Sequence, residues 1–237
     1  MGKGGGSQHT PYEEPDNLKS RQVLSLIDLI SEGPIEGPVG GLKGVFLNDT
    51  PVLSDSGEAN FSGVNAEWRS GTQAQSYLSG FPAVENEVRV DVEVKNNKPV
   101  VRSITDPDIN RVRVTVGVQA LLQMEDDGDM YGSTVEMSVQ LQSSGGSWFE
   151  ARKVVISGKT RSTYLRSVIL DSLPPRPFNM RVVRLTADST SSKLENRTIW
   201  SSYTEIIDAK LTYPNTAVVG MRLDPSSLMV ACHVVPI

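Results

Sequence analysis

The 237 residues hold one cysteine, Cys232, and two histidines, His9 and His233. A single thiol excludes an intramolecular disulfide. With its histidines near the two ends, the chain cannot supply a Cys/His zinc cage. The long stretch between them has no histidine, so a Ser-His-Asp triad is excluded there. Aromatic residues make up only 6%, thin for a self-sufficient core. Positive charge is also short: 23 Lys and Arg against 28 Asp and Glu give a net charge of −5. That balance argues against nucleic acid as the main partner, because phosphate binding needs a basic surface. No apolar stretch approaches the roughly 20 residues that span a bilayer. The opening Met-Gly-Lys-Gly-Gly-Gly-Ser has no apolar signal core. The expectation is a protein made and kept in the cytoplasm unless an assembly carries it out, with no membrane contact of its own.

What the chain does have is alternation. Val88–Val94 reads Val-Arg-Val-Asp-Val-Glu-Val, Val112–Val118 reads Val-Arg-Val-Thr-Val-Gly-Val, and Val135–Leu141 reads Val-Glu-Met-Ser-Val-Gln-Leu. Successive strand side chains point to opposite faces, so each run is buried on one side and wet on the other. Strand signals recur at Glu87–Lys95, Val100–Ile104, Arg111–Gln119, Thr134–Gln142, Trp148–Ser157, Thr163–Leu170, Phe178–Thr186 and Ile199–Leu211. Short strands separated by turn chemistry predict an all-β fold, a β-sandwich with little helix. Its expected core includes Val90, Val92, Val112, Val114, Val116, Val135, Met137, Val139, Leu173, Met180 and Val182. Leu173-Pro174-Pro175 followed by Phe178, Met180 and Val182 resembles the Leu-x-Pro…Tyr-x-Val-x-Val corner of fibronectin type III modules. Here the turn is one residue shorter and Phe178 replaces the tyrosine.

Four regions are expected. Residues 1–20 are Gly-rich, then polar, and read as a flexible arm that is disordered or laid on a partner. Residues 21–86 are β-rich and loop-rich. Val23–Ile30 is a strand or short helix, Val45–Leu47 a hairpin arm and Val64–Arg69 a short strand. Residues 87–212 form the sandwich. Residues 213–237 begin a further strand and end in a tail.

Candidate chemistry is sparse. Glu125, Asp126, Asp127 and Asp129 surround Gly128 but lack the spaced oxygen ligands and distant bidentate carboxylate of a calcium loop. A solvated hairpin tip is the expectation. Lys3 lies in a glycine tract without the order of a phosphate loop. Glu205 and Asp208, near Trp200 and Tyr203, sit at strand spacing that turns them to opposite faces, unlike a glycosidase pair. Arg176, Arg181 and Arg184 form a possible basic stripe, read as the solvated face of a strand. Asn60-Phe61-Ser62 and Asn196-Arg197-Thr198 fit the glycosylation pattern, which a chain without a secretory signal does not use. No catalytic, cofactor or metal residue is assigned.

Ser31–Pro38, Leu173–Asn179 and Trp200–Ile207, with the surrounding Met1–Val52 and Leu173–Gly220, resemble the tip attachment (host specificity) protein J family of lambda-like tailed phages. The resemblance runs from Met1 to about Leu223. It implies a structural, non-enzymatic virion protein at the tail tip, assembled in the bacterial cytoplasm. It implies a trimeric hub contacting other tail-tip proteins, with fibronectin-like modules inserted in β-rich hub domains. In such proteins the far C-terminal part contacts the receptor, so this chain should lack receptor binding. Family members are several times longer, and Met229–Ile237 does not continue their pattern. The expectation is therefore an N-terminal fragment, a truncated prophage copy. The alternative is a free-standing carbohydrate- or protein-binding β-sandwich module.

Overall fold

The computed structural model describes residues 9–19, 24–47, 49–61 and 64–223. Met229–Ile237 and Lys3 lie outside them. Among the described residues there are sixteen strands and a single turn of 3-10 helix, Gly41–Gly44. The chain divides into two compact units. Unit 1 comprises residues 1–20 and 85–207, and unit 2 comprises residues 21–84 and 208–237. The chain therefore passes between the units three times.

In unit 1, two four-stranded antiparallel sheets build the sandwich. The strands that enter them, wholly or in part, are β5 (Pro82–Val94), β6 (Val100–Ile104), β7 (Arg111–Val118), β10 (Ser133–Ser143), β11 (Phe149–Gly158), β12 (Tyr164–Leu170), β13 (Phe178–Arg184) and β15 (Thr198–Asp208). One sheet has the order β11-β10-β13-β6, the other β12-β7-β15-β5. These eight strands coincide with the eight expected segments to within a few residues at each end. The registers show how alternation becomes a core. Val139 faces Val182 and Leu141 faces Met180 across β10 and β13, and Val114 faces Val168 across β7 and β12. Val112, Val114, Val116 and Val118 are fully buried, with Val135, Met137, Val139, Leu141, Met180, Val182 and Trp200. Each such side chain contributes roughly 1.5–3 kcal/mol on burial.

Two expected core positions differ. Val90 is only partly buried, and Val92, 36% accessible, is exposed. The cause is local: Asp91 adopts φ +45°, a left-handed conformation that interrupts the pleat. It does so on an edge strand, where no second neighbour enforces register. Leu173 packs partly buried against the core, and Phe178 is buried at the corner with the Arg176 guanidinium 5.7 Å from its ring centroid.

A smaller sheet in unit 1 joins β8 (Leu122–Met124), β9 (Met130–Tyr131) and β14 (Leu194–Glu195) in the order β14-β8-β9. The β8–β9 hairpin carries the acidic cluster at its tip. Residues 9–19 do not leave the fold: they run extended along unit 1, bridging to β9 at Glu13 and Met130.

In unit 2, β1 (Leu24–Glu32), β16 (Thr216–Leu223) and β4 (Asn65–Ser70) form a sheet with β16 central. Val23–Ile30 thus resolves as a strand over its described part. A hairpin, β2 (Phe46–Leu47) and β3 (Thr50–Pro51), packs nearby. Both faces of β16 are covered. Val219 and Met221 meet Val45, Leu47 and Val52, while Val218 meets Leu78 and Phe81. Gly220 shares the second face, where a Cβ would lie 2.7 Å from the Phe81 ring. Residues 213–237 are expected to begin a further strand, and within their described part β16 joins the sheet with β1 and β4. Gln75 ties the two chain segments of this unit. Its Nε2 donates to the carbonyls of Thr212, Tyr213 and Thr216 at 2.8, 2.7 and 2.9 Å, and its Oε1 accepts from Gly71 N–H at 2.7 Å. Ala209 N–H also donates to Phe81 O at 2.7 Å.

Candidate interaction site

A dense polar constellation in unit 1 lies where residues 9–19 meet the end of β11, the following turn and β9. Lys159 stands at its centre with its side chain only 1% accessible. A buried ammonium needs paired anions, and two carboxylates of the arm provide them: Glu13 Oε1 and Asp16 Oδ1, each 2.7 Å from Nζ. Arg161 grips Glu13 with both ends of its fork, Nε to Oε1 and Nη2 to Oε2, each at 2.7 Å. Its backbone N–H donates to Asp16 Oδ2 at 3.1 Å.

The electrostatics follow from these bonds. Hydrogen bonds from Lys159 and then Arg161 hold the Glu13 carboxyl below its ordinary range. The Lys159 side chain and the Arg161 backbone do the same for Asp16. Burial pulls the Lys159 ammonium down, but its bonds to Asp16 and Glu13 outweigh that and leave its pKa raised.

Main-chain pairing fixes the register. Met130 N–H donates to Tyr12 O at 2.8 Å and Glu14 N–H donates to Met130 O at 2.9 Å. Asn17 N–H donates to Lys159 O at 3.1 Å, while Asn17 Oδ1 accepts from Lys159 N–H at 2.9 Å. Gly132 N–H donates to Glu14 Oε2 at 2.7 Å. A missing side chain makes room for this contact. Gly158 has φ +142°, and a Cβ there would lie 2.3 Å from Asn17 Oδ1 and 3.1 Å from Leu18. Glycine alone suits both the backbone and the approach.

Toward the start of the arm, Asp129 accepts from Tyr12 N–H at 2.7 Å and from His9 Nε2 at 2.8 Å, and its second oxygen accepts from Tyr131 OH at 3.0 Å. The Tyr12 and His9 bonds lower its pKa, and the Asp129 bond raises that of Tyr131. His9, Asp127 and Asp129 bring potential ligand atoms within 4.8 Å of one another. Asp129 Oδ1 already accepts from two donors of the arm, so this tip anchors it. Asp126 pairs with Lys193.

The other sequence candidates go to separate structural tasks. Arg176, Arg181 and Arg184 form no stripe. Arg176 donates to Ile109 O, and Arg181 stacks 4.2 Å from the Trp148 ring centroid while donating to Gln140. Arg184 is 2% accessible and does not lie on a solvated face. It donates to the carbonyls of Thr186, Ala187 and Asn196 and to Thr198 Oγ1, tying down the loop before β15. Burial lowers its pKa, and Asp188 and Glu93 oppose the shift. Glu205 accepts from Asn86 Nδ2 at 3.1 Å. Asn196 is buried.

Composition alone does not reveal the arm site. The available signal was an acidic Glu-Glu-Pro-Asp-Asn run in a polar tail and an isolated Lys-Thr-Arg turn, more than a hundred residues apart.

Comparison with known proteins agrees with the sandwich. Residues 84–209 match the model of the FNIII-A domain of tip attachment protein J. The chain is 39% identical over 227 residues to tip attachment protein J of Escherichia phage SECphi27, covering 94% of this chain and 19% of that protein. The corresponding protein of Escherichia phage SECphi4 is 38% identical over 227 residues, 93% of this chain and 20% of that protein. The chain thus spans about a fifth of the length of the curated relatives it matches. A xylan-binding domain from Paenibacillus barcinonensis superposes with a TM-score of 0.30 at 8% identity, covering 81% of this chain and 99% of that one; so low a score carries no argument. With a family match across the sandwich and close relatives along nearly the whole chain, this protein belongs to the tip attachment protein J family and carries its FNIII-A domain.

Proposed function

We propose that the chain is a structural, non-enzymatic part of a phage tail tip, corresponding to the N-terminal hub region of the family. It assembles in the host cytoplasm with copies of itself, as a trimer, and with other tail-tip proteins, and resides in the virion tail. The observation that carries this reading is the family match over residues 84–209, supported by 38–39% identity along nearly the whole chain. The polar groups support a scaffolding role. Lys159 and Gln75 use their hydrogen bonds to join distant chain segments, and Arg184 uses its own to fix the loop before β15. Net charge of −5 disfavours DNA as a partner.

The test is co-expression of the tagged chain with an intact lambda-like tail-assembly system. The expected result is co-sedimentation of the tag with tails and fewer infectious particles, as the chain enters the hub in place of that system's own tip protein. Tails free of the tag, with an unchanged titre, would overturn the proposal.

A further inference from the structure

We propose that the groove formed by β9 and residues 158–161 is a docking site for an acidic extended peptide, and that it accepts the arm of a second copy of this chain. Residues 9–19 are held as a bound ligand is held. They have no regular structure of their own beyond one bridge to Met130. Backbone pairing with Met130 and Lys159 sets their register, and carboxylates in fixed positions supply selectivity, the division of labour seen when an extended peptide adds to a sheet edge. The groove is shaped for this occupant. The Gly132 and Arg161 amides face carboxylates of the arm, Gly158 leaves room for Asn17, and the buried Lys159 ammonium meets Glu13 and Asp16, whose side chains stay nearly half exposed.

None of these contacts depends on which molecule supplies the arm. After residue 20 the chain passes through residues 21–84 of unit 2 before it returns to unit 1 at residue 85. The advantage of the chain's own arm is therefore one of tethering, an effective concentration and not an extra contact. Where copies are crowded together, exchange of an identical segment between them costs little. The inference rests on the tail-tip reading only for that crowded setting; the complementarity of arm and groove stands by itself.

Two full-length variants test it. In the first, Glu13→Lys with Asp16→Lys reverses the arm and leaves the groove. In the second, Lys159→Glu with Arg161→Glu reverses the groove and leaves the arm. Neither can dock an arm within itself or with its own kind. Mixed, they bring one native arm to one native groove. The expected result is a 1:1 heterodimer in sedimentation velocity, absent from either variant alone. Its affinity should fall about tenfold or more as salt rises from about 50 to about 300 mM, because exposed charges are screened. A mixture that stays monomeric while both variants keep their β-sheet circular dichroism would overturn the proposal. Should the groove variant fail to fold, a fluorescein-labelled peptide of residues 9–19 is titrated into the first variant. A rise in anisotropy that a Glu13→Lys, Asp16→Lys peptide does not produce is expected, and no rise would overturn the proposal. Peptide binding in a chain that never enters tails would instead count against the tail-tip role alone.

Discussion

Replacing Gln75 by methionine keeps the length and most of the volume of the side chain but deletes its amide. The two Nε2 protons serve three carbonyls, those of Thr212, Tyr213 and Thr216, and Oε1 serves Gly71 N–H. That amounts to three full hydrogen bonds. At a net contribution of about 0.5–1.5 kcal/mol each, and about 1–3 kcal/mol for a buried group left unsatisfied, the loss comes to about 3 kcal/mol. It should fall on unit 2, because Gln75 joins segments 71–75 and 212–216 of that unit alone. An energy of about 3 kcal/mol corresponds to roughly a hundredfold increase in opening, readable by hydrogen exchange. The assay is exchange mass spectrometry resolved by strand. β16 and β4 should exchange about a hundredfold faster, while Val112–Val118 of β7 keeps its protection. Gln75→Glu separates the parts of the argument. It retains an acceptor for Gly71 but sets a carboxylate against three carbonyls, so at neutral pH it should be worse than methionine and improve on acidification. An unchanged rate in β16 for Gln75→Met would refute the reasoning. Equal acceleration in β7 would show that the units open together.

Three further outcomes follow from the geometry. Val114→Asp, at a position with no accessible surface, should cost about 4–5 kcal/mol by burying an unpaired carboxylate and should collapse the near-ultraviolet dichroism of the sandwich; a cooperative melt near that of the parent would refute it. Gly158→Val should push Asn17 and Leu18 off the groove, so exchange at residues 12–18 rises sharply while β7 stays slow. Acid should release the arm. The carboxylates of Glu13 and Asp16 have folded pKa values below their ordinary 4.5 and 3.8, so their stabilisation is complete above those ordinary values and drains away as pH falls through the folded ones. Lys159, raised above its ordinary 10.5, contributes fully below 10.5 and loses that contribution as pH rises through its folded value. A dye placed at Thr10 should therefore report a docked arm between about pH 5 and 10 and a freed one in strong acid; release that tracks salt but not pH would contradict the assignment.

The sandwich was legible because strands wet on one face write their period into the sequence. Val112–Val118 and Val135–Leu141 show it directly. Val92 misled because a single left-handed residue, Asp91, breaks the pleat without breaking the pattern. β16 was harder to read. Buried on both faces, Ala217-Val218-Val219-Gly220-Met221 shows no alternation, and its partners β1 and β4 lie far back in the chain. Arg184 was misjudged as solvated because residue type favours the surface, whereas its fork is consumed by loop carbonyls. The arm site was hidden for a related reason: backbone amides and long-range ion pairs leave no periodic trace.

The three passages of the chain between the units bear on how such a protein can diversify. Recombination at residues 84 and 207 could replace the sandwich, since Gln75 and the Ala209–Phe81 bond close unit 2 without it. The arm would not travel with the exchanged piece. Glu13 and Asp16 lie 143 to 148 positions from the Lys159 and Arg161 side chains they meet. A foreign sandwich would inherit an acidic strap with no basic turn to receive it. Lineages that shuffle this module must therefore change two distant stretches in concert, and a graft that ignores the first twenty residues carries a mismatch from the start.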